Sequence, residues 1–144
     1  MASTSSRLQG GCHCGALALV FSTALAPAQT APRACDCSFC RAHGAAWISD
    51  PDGHLAIHHR PERLPTYRQG SLTALFVVCN DCGVLVAVVF DDGDRRYAAV
   101  NARCLEARDA FAAPVPASPQ ALSKEQKEAR WRQVWIADVV SARR

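Results

Sequence analysis

The stretch "CNDCGVLVAVVF", residues 79–90, joins a metal-ligand spacing directly to a strand. Two residues between Cys79 and Cys82 let a tight turn aim both sulfurs at one point, and Gly83 leaves the backbone free to curl beneath them. The residues that follow are nearly all β-branched or aliphatic, which suits a central strand. Behind them "DDGD", residues 91–94, is a turn signal. This stretch sets the expectation of a β-rich protein whose strand ends are held by a metal.

Working outward, "GCHCG" at residues 11–15 repeats the glycine-ended turn with Cys12 and Cys14. "CDCSFC" at residues 35–40 holds Cys35, Cys37 and Cys40, and Cys104 stands alone in "ARCLE". A disulfide framework is the alternative use of such residues. Bridging i to i+2 strains a bond that needs Cα atoms at least ~4.4 Å apart with a specific dihedral, and without a convincing secretory signal clustered cysteines point to metal. One run, "ALALVFSTALA" at residues 16–26, has signal-peptide length. Cleavage behind it would remove Cys12 and Cys14. Leu17, Leu19 and Phe21 alternate with Ala16, Ala18 and Val20 between Gly15 and Pro27, which reads as a strand buried on both faces. No other run reaches transmembrane length, so a soluble, cytoplasmic protein is expected.

The 144 residues suffice for one core. A formal net charge of +3 without a basic stripe gives no reason to expect a nucleic-acid partner. Short apolar runs predict strands at 16–22, 45–49, 54–59, 73–78, 84–90 and 96–101, followed by a short helical stretch at 105–111. "APVPASPQ", residues 113–120, reads as a stiff linker because of its prolines. Beyond it, Ser123 with Gln126 three residues later is a capping-box signature, and Trp131, Val134, Trp135 and Val139 recur at helical spacing. The expected organisation is a zinc-binding β domain over 1–112, the linker over 113–120 and a helical extension over 121–144. The tryptophans are read as core, with a substrate wall or a dimer contact as the other uses of such a face.

Matching the glycine-ended turns pairs Cys12 and Cys14 with Cys79 and Cys82 as a closed four-thiolate site, for which zinc is the expected ion. Structural zinc in small peptides binds with roughly 10–16 kcal/mol, comparable with a domain's whole stability. Cys35, Cys37 and Cys40 then form a second set. Cys104, His43 or an exogenous ligand compete for its fourth position. A protein ligand would make the site structural; an open position is the arrangement of catalytic zinc. Ser38, Arg41 and His43 stand near enough in sequence to orient a substrate, while His54, His58 and His59 read as polar strand residues.

Three thiolates leave zinc a weak Lewis acid, so activating water from pKa 15.7 is a heavy demand. A thiol starting near 8.5 needs a shift of only one or two units, about 1.4–2.7 kcal/mol, to ionise at neutral pH. The second set is therefore better suited to a thiol, whose addition to an aldehyde gives a hemithioacetal and whose departure cleaves it. A non-catalytic zinc module that binds a partner is the alternative, and a zinc store or thiol sensor using Cys104 a third.

Taken in order, "GGCHCGAL", "CDCSFCRAHGA", "CNDCG" and "VNARCL" resemble the glutathione-dependent formaldehyde-activating enzyme family, which includes centromere protein V. The resemblance covers about residues 8 to 106. It implies a β-tent fold, with small twisted antiparallel sheets around a structural zinc. Carried over residue by residue, it implies Cys12, Cys14, Cys79 and Cys82 as structural ligands and Cys35, Cys37 and Cys40 as ligands of a catalytic zinc, two ions per chain. The implied activity is that of a carbon–sulfur lyase, an S-(hydroxymethyl)glutathione synthase joining the small thiol glutathione to the small aldehyde formaldehyde. Where many relatives carry arginines, near the first knuckle and before the second, this chain has Ala18 and "LTALFVV".

Overall fold

The computed structural model describes residues 5–144. Eleven strands and two α-helices run in the order β1 (Ser6–Gly11), β2 (Leu17–Thr23), β3 (Arg33–Cys35), α1 (Ser38–His43), β4 (Trp47–Ile48), β5 (His54–His59), β6 (Thr66–Tyr67), β7 (Ala74–Val78), β8 (Leu85–Asp92), β9 (Arg95–Asn101), β10 (Val115–Ala117), α2 (Lys124–Val134) and β11 (Asp138–Arg143). They form two sheets. One has the order β1-β2-β5-β11 and the other β10-β3-β4-β9-β8-β7-β6. The expected mainly β fold of small, largely antiparallel sheets with a helix near the C-terminal end is what forms.

All six strands expected from the apolar runs are present, with ends shifted by a residue or two. The aliphatic run after Gly83 is the buried heart of the larger sheet, flanked by β7 and β9. A register shift between Val77 and Val78 pairs Val77 with Ala87 and Val78 with Leu85, so Val86 is the extra residue of a bulge. The bulge has a packing consequence. Val86, Ala87 and Val89 face one core with Leu17, Leu19, Phe21, Leu55 and Ile57 of the smaller sheet, whereas Leu85, Val88 and Phe90 face a second, aromatic core with Trp47, Phe76, Trp131 and Trp135. β2 buries Leu17, Leu19, Phe21 and Thr23 fully and covers Ala18, Val20 and Ser22 only in part, so the strand expected to be buried on both faces is one-sided.

Buried Asn101 stands where both cores meet. Its side-chain oxygen accepts from the Ala46 N–H and its amide donates to the Leu85 carbonyl at 2.9 Å, satisfying one backbone group just before β4 and one at the start of β8.

The C-terminal third departs from expectation. Residues 105–111 hold only a short 3-10 turn at Arg108–Ala110. The proline-rich stretch read as a linker contains β10, which pairs in parallel with β3 at the sheet edge, where Pro116 can lack a ladder donor. The capping box forms as expected, with Ser123 Oγ accepting from the Gln126 N–H and Gln126 Oε1 accepting from the Ser123 N–H. The helix stops at Val134, however, and Trp135 takes extended backbone angles. Val139, expected on the helix, lies in β11, which pairs in parallel with β5. Between them Ile136 exchanges two backbone hydrogen bonds with Ala98, of 3.0 and 2.8 Å. No helix among the described residues is long and apolar enough to cross a membrane.

Ile136 is fully buried and joins the core shared with the smaller sheet, whereas Val140 of β11 is half exposed. Ile136→Ala is expected to destabilise the protein by about 2–5 kcal/mol and Val140→Ala by no more than about 0.5 kcal/mol, read from urea midpoints. Equal effects would mean that the segment after α2 is a dispensable appendage.

Candidate metal centres and their cavity

The two glycine-ended turns meet. Gly15 and Gly83 take φ of +84° and +80°, and their N–H groups return to the Cys12 and Cys79 carbonyls, so each turn folds back under its own sulfurs. Leu17 N–H donates to Cys12 Sγ at 3.2 Å, and the Asp81 and Cys82 N–H groups to Cys79 Sγ at 3.4 and 3.5 Å. Such donors stabilise sulfur as thiolate. The sulfurs of Cys12, Cys14, Cys79 and Cys82 all lie within 4.8 Å of one another, placed to hold a metal ion. The donor set can be tested against zinc. A tetrahedral zinc–thiolate centre with bonds of about 2.3 Å has edges of about 3.8 Å, and Cys12 to Cys14 is 3.7 Å and Cys14 to Cys79 is 3.6 Å. All eight cysteines are unbridged thiols.

The second set gathers where β3 runs into α1. Cys35 ends the strand, Cys37 is the N-cap of the helix and accepts the Cys40 N–H at 3.4 Å, and Cys40 turns inward from the first helical turn. Gly44 closes the helix after six residues. The three sulfurs lie within 4.8 Å of one another. The hydrogen bond from Cys40 holds the Cys35 thiol down at about 6, against the opposing effect of burial. The same hydrogen bond, and then burial, push Cys40 up. A cation among these sulfurs would take the place of the proton in that bond.

No fourth histidine, cysteine or carboxylate joins this set among the described residues. Cys104, expected as a possible fourth ligand, sits beside the other set. Its thiol donates to the Leu85 carbonyl at 3.1 Å, and it is pushed up to about 11 by burial and then by Cys12 and Cys82. His43, the other candidate, is exposed, packs on Phe39 with ring centroids 4.7 Å apart, and lines a separate shallow hollow with Thr66, Tyr67 and Asn80. Of the expected neighbours, Ser38 lines the cavity described next, and Arg41 points to solvent.

That cavity has a volume of about 590 Å³ and has Cys35, Cys37 and Cys40 in its lining. The size is that of a small-molecule site. Trp47, Ala74, Phe76, Val88, Trp131 and Trp135 give it an apolar wall. Trp131 and Trp135 stack at 4.7 Å, and Phe90 meets Trp131 edge-on at 5.2 Å. Gln69 reaches Cys37 Sγ at 4.0 Å from the loop between β6 and β7. Asp36 anchors another side, accepting from Ser118 Oγ and Gln120 Nε2. Ser49 donates to the Val134 carbonyl at 2.7 Å and accepts from Arg33, which ties the end of α2 to the strand that carries Cys35.

Arg33, Lys127 and Arg130 also line the cavity and were not read from the sequence. A signal for each existed. Arg33 and Cys35 are two apart on a strand and so share a face, and Lys127, Arg130, Trp131 and Val134 follow the i, i+3, i+4, i+7 spacing of one helix face. Burial, and then the like charge of Arg130, lower the pKa of Arg33.

Comparison with known proteins agrees with this geometry. A crystal structure of a Rhodobacter sphaeroides protein is similar, with a TM-score of 0.51 at 29% sequence identity, covering 76% of this chain and 99% of that one. No curated protein matches the sequence. The family model described as "Glutathione-dependent formaldehyde-activating enzyme" matches residues 7–118, a range that holds all eight cysteines and ends before α2 and β11. The chain belongs to the glutathione-dependent formaldehyde-activating enzyme family.

Proposed function

We propose that this protein is a zinc-dependent carbon–sulfur lyase acting on adducts of a small thiol and a small aldehyde, in the manner of an S-(hydroxymethyl)glutathione synthase. The observation that carries the reading is the cluster of Cys35, Cys37 and Cys40 in the lining of a cavity, with no fourth side-chain ligand among the described residues. In this reading Cys12, Cys14, Cys79 and Cys82 hold a structural zinc, and Cys35, Cys37 and Cys40 hold the zinc that serves the reaction. A cytoplasmic setting belongs to the same reading, because it keeps all eight thiols reduced.

The chemistry asks little of the protein beyond charge and placement. In the lyase direction the carbon–sulfur bond of a hemithioacetal breaks with its electron pair on sulfur, while the hydroxyl loses its proton to solvent as the carbonyl forms. Cys35, Cys37 and Cys40 would hold the zinc, which when bound would supply the positive charge that favours the substrate sulfur as thiolate near neutral pH. Cys35, Cys37 and Cys40 fix where that charge sits. Their thiolates also limit its strength, which favours a thiol over water as the exchangeable partner. Trp47, Phe76 and Trp131 exclude water from one side of the cluster, which strengthens electrostatic interactions across the cavity. Gln69, with its amide directed at Cys37, and Ser38 at the first turn of α1 can orient the departing aldehyde oxygen.

Two outcomes test this account. Elemental analysis of the purified chain is expected to give two zinc ions per polypeptide, with one lost in Cys37→Ser and none in Cys104→Ser. Retention of both ions in Cys37→Ser would mean that the three-cysteine cluster holds none and would remove the basis for catalysis. In NMR exchange experiments with glutathione and formaldehyde, the zinc-loaded chain is expected to accelerate adduct formation and breakdown. Cys35→Ser should slow both by more than about 100-fold, beyond the 10–100-fold that outer contacts to a metal are worth, while far-UV circular dichroism stays unchanged. A chain with two zinc ions and no acceleration would favour the partner-binding alternative.

A further inference from the structure

Apart from the cysteine cluster itself, the charged side chains lining the cavity are all cationic: Arg33 from β3, and Lys127 and Arg130 from α2. Ion pairs elsewhere engage Arg96 with Asp91 and Arg132 with Asp92 and Glu128. None among the described residues involves Arg33, Lys127 or Arg130. Asp36, the nearest acid in sequence, is occupied by Ser118 and Gln120. Unneutralised cations beside low-dielectric walls focus a positive potential into the space between them. Two guanidinium groups facing one cavity repel each other, and a carboxylate placed between them would relieve that repulsion and accept their paired N–H donors.

The other lining is aromatic. Stacked Trp131 and Trp135, with Trp47 and Phe76, offer faces that a one-carbon aldehyde unit cannot cover, and glutathione is a polar peptide throughout. Lys127, Arg130 and Trp131 stand on one helix and Trp135 is its C-cap, so a single ligand can meet both kinds of group.

We propose that the cavity selects thiol adducts carrying both a carboxylate and a bulky apolar, preferably aromatic, group, with Arg130 and Lys127 reading the charge and the Trp131–Trp135 wall reading the apolar part. This rests on the carbon–sulfur lyase reading and narrows its substrate class. It also makes α2, which lies outside the range matched by the family model, the specificity element of this chain.

Calorimetry on the zinc-loaded full chain tests it with three thiols: 2-mercapto-3-phenylpropionate, its methyl ester, and 3-mercaptopropionate. The phenyl acid is expected to bind roughly tenfold or more tightly than either of the others, as a charge-assisted contact and a buried ring each imply. Arg130 is exposed, so Arg130→Leu should fold normally. It is expected to erase the preference for acid over ester while leaving the ester's affinity within about twofold, since only the charged contact is lost. Equal binding of acid and ester by the parent chain would remove the carboxylate from the proposal, and equal binding of the two acids would remove the apolar group. Weakening of the ester as much as the acid in Arg130→Leu would make that residue a structural support. In those three cases thiol binding itself survives and the lyase reading stands. Failure of all three thiols to bind would overturn both.

Discussion

Two loops separated by 65 residues place Cys14 and Cys79 sulfurs 3.6 Å apart, and the two sheets converge at that point. Four sulfurs in such contact cannot all be ionised without a cation among them, because like charges at this distance repel strongly wherever water is scarce. The knuckles are therefore the place where the fold and a site able to hold a metal ion become one problem. β1 enters the first knuckle and β2 leaves it, β7 enters the second and β8 leaves it, so the smaller and larger sheets are set against each other by the sulfurs between their strands. The core between the sheets follows from that placement.

The bulge at Val86 does the next piece of organisation. By turning two successive residues of β8 toward the smaller sheet, it lets one strand serve two cores, an aliphatic one next to the four-cysteine set and an aromatic one next to the three-cysteine set. The Leu85 carbonyl shows how closely the two are linked, since it accepts from both Asn101 and Cys104. The same arrangement explains why Cys104 supports the four-cysteine side although its sequence position leaves it free to complete either set.

The cysteine pairing was legible because the chemistry is local: a C-x-C or C-x-x-C turn with its glycine carries its own geometry, and two alike belong together. β8 was legible from six consecutive buried positions. The elements that escaped carry little burial. β11 is mostly exposed and β10 has an exposed Val115 beside Pro116, so neither leaves a hydrophobic pattern to read. Val139 illustrates the ambiguity best. It follows Trp135 at helical spacing, yet the chain turns extended at Trp135 because Ile136 gains two sheet hydrogen bonds by doing so. The charge of the cavity was hidden for another reason. Arg33 and Arg130 are 97 residues apart, and tertiary packing, including the tie from Ser49 to the end of α2, brings their elements together.

β11 is the edge strand of the smaller sheet beyond β5, and its side chains are mostly in water. Regions with few buried apolar contacts open at a small fraction of the global unfolding free energy, as independent cooperative units. The sheet edge at β11 is therefore expected to exchange its amide protons first, while Ile136 and the buried tryptophans before it stay with the two cores.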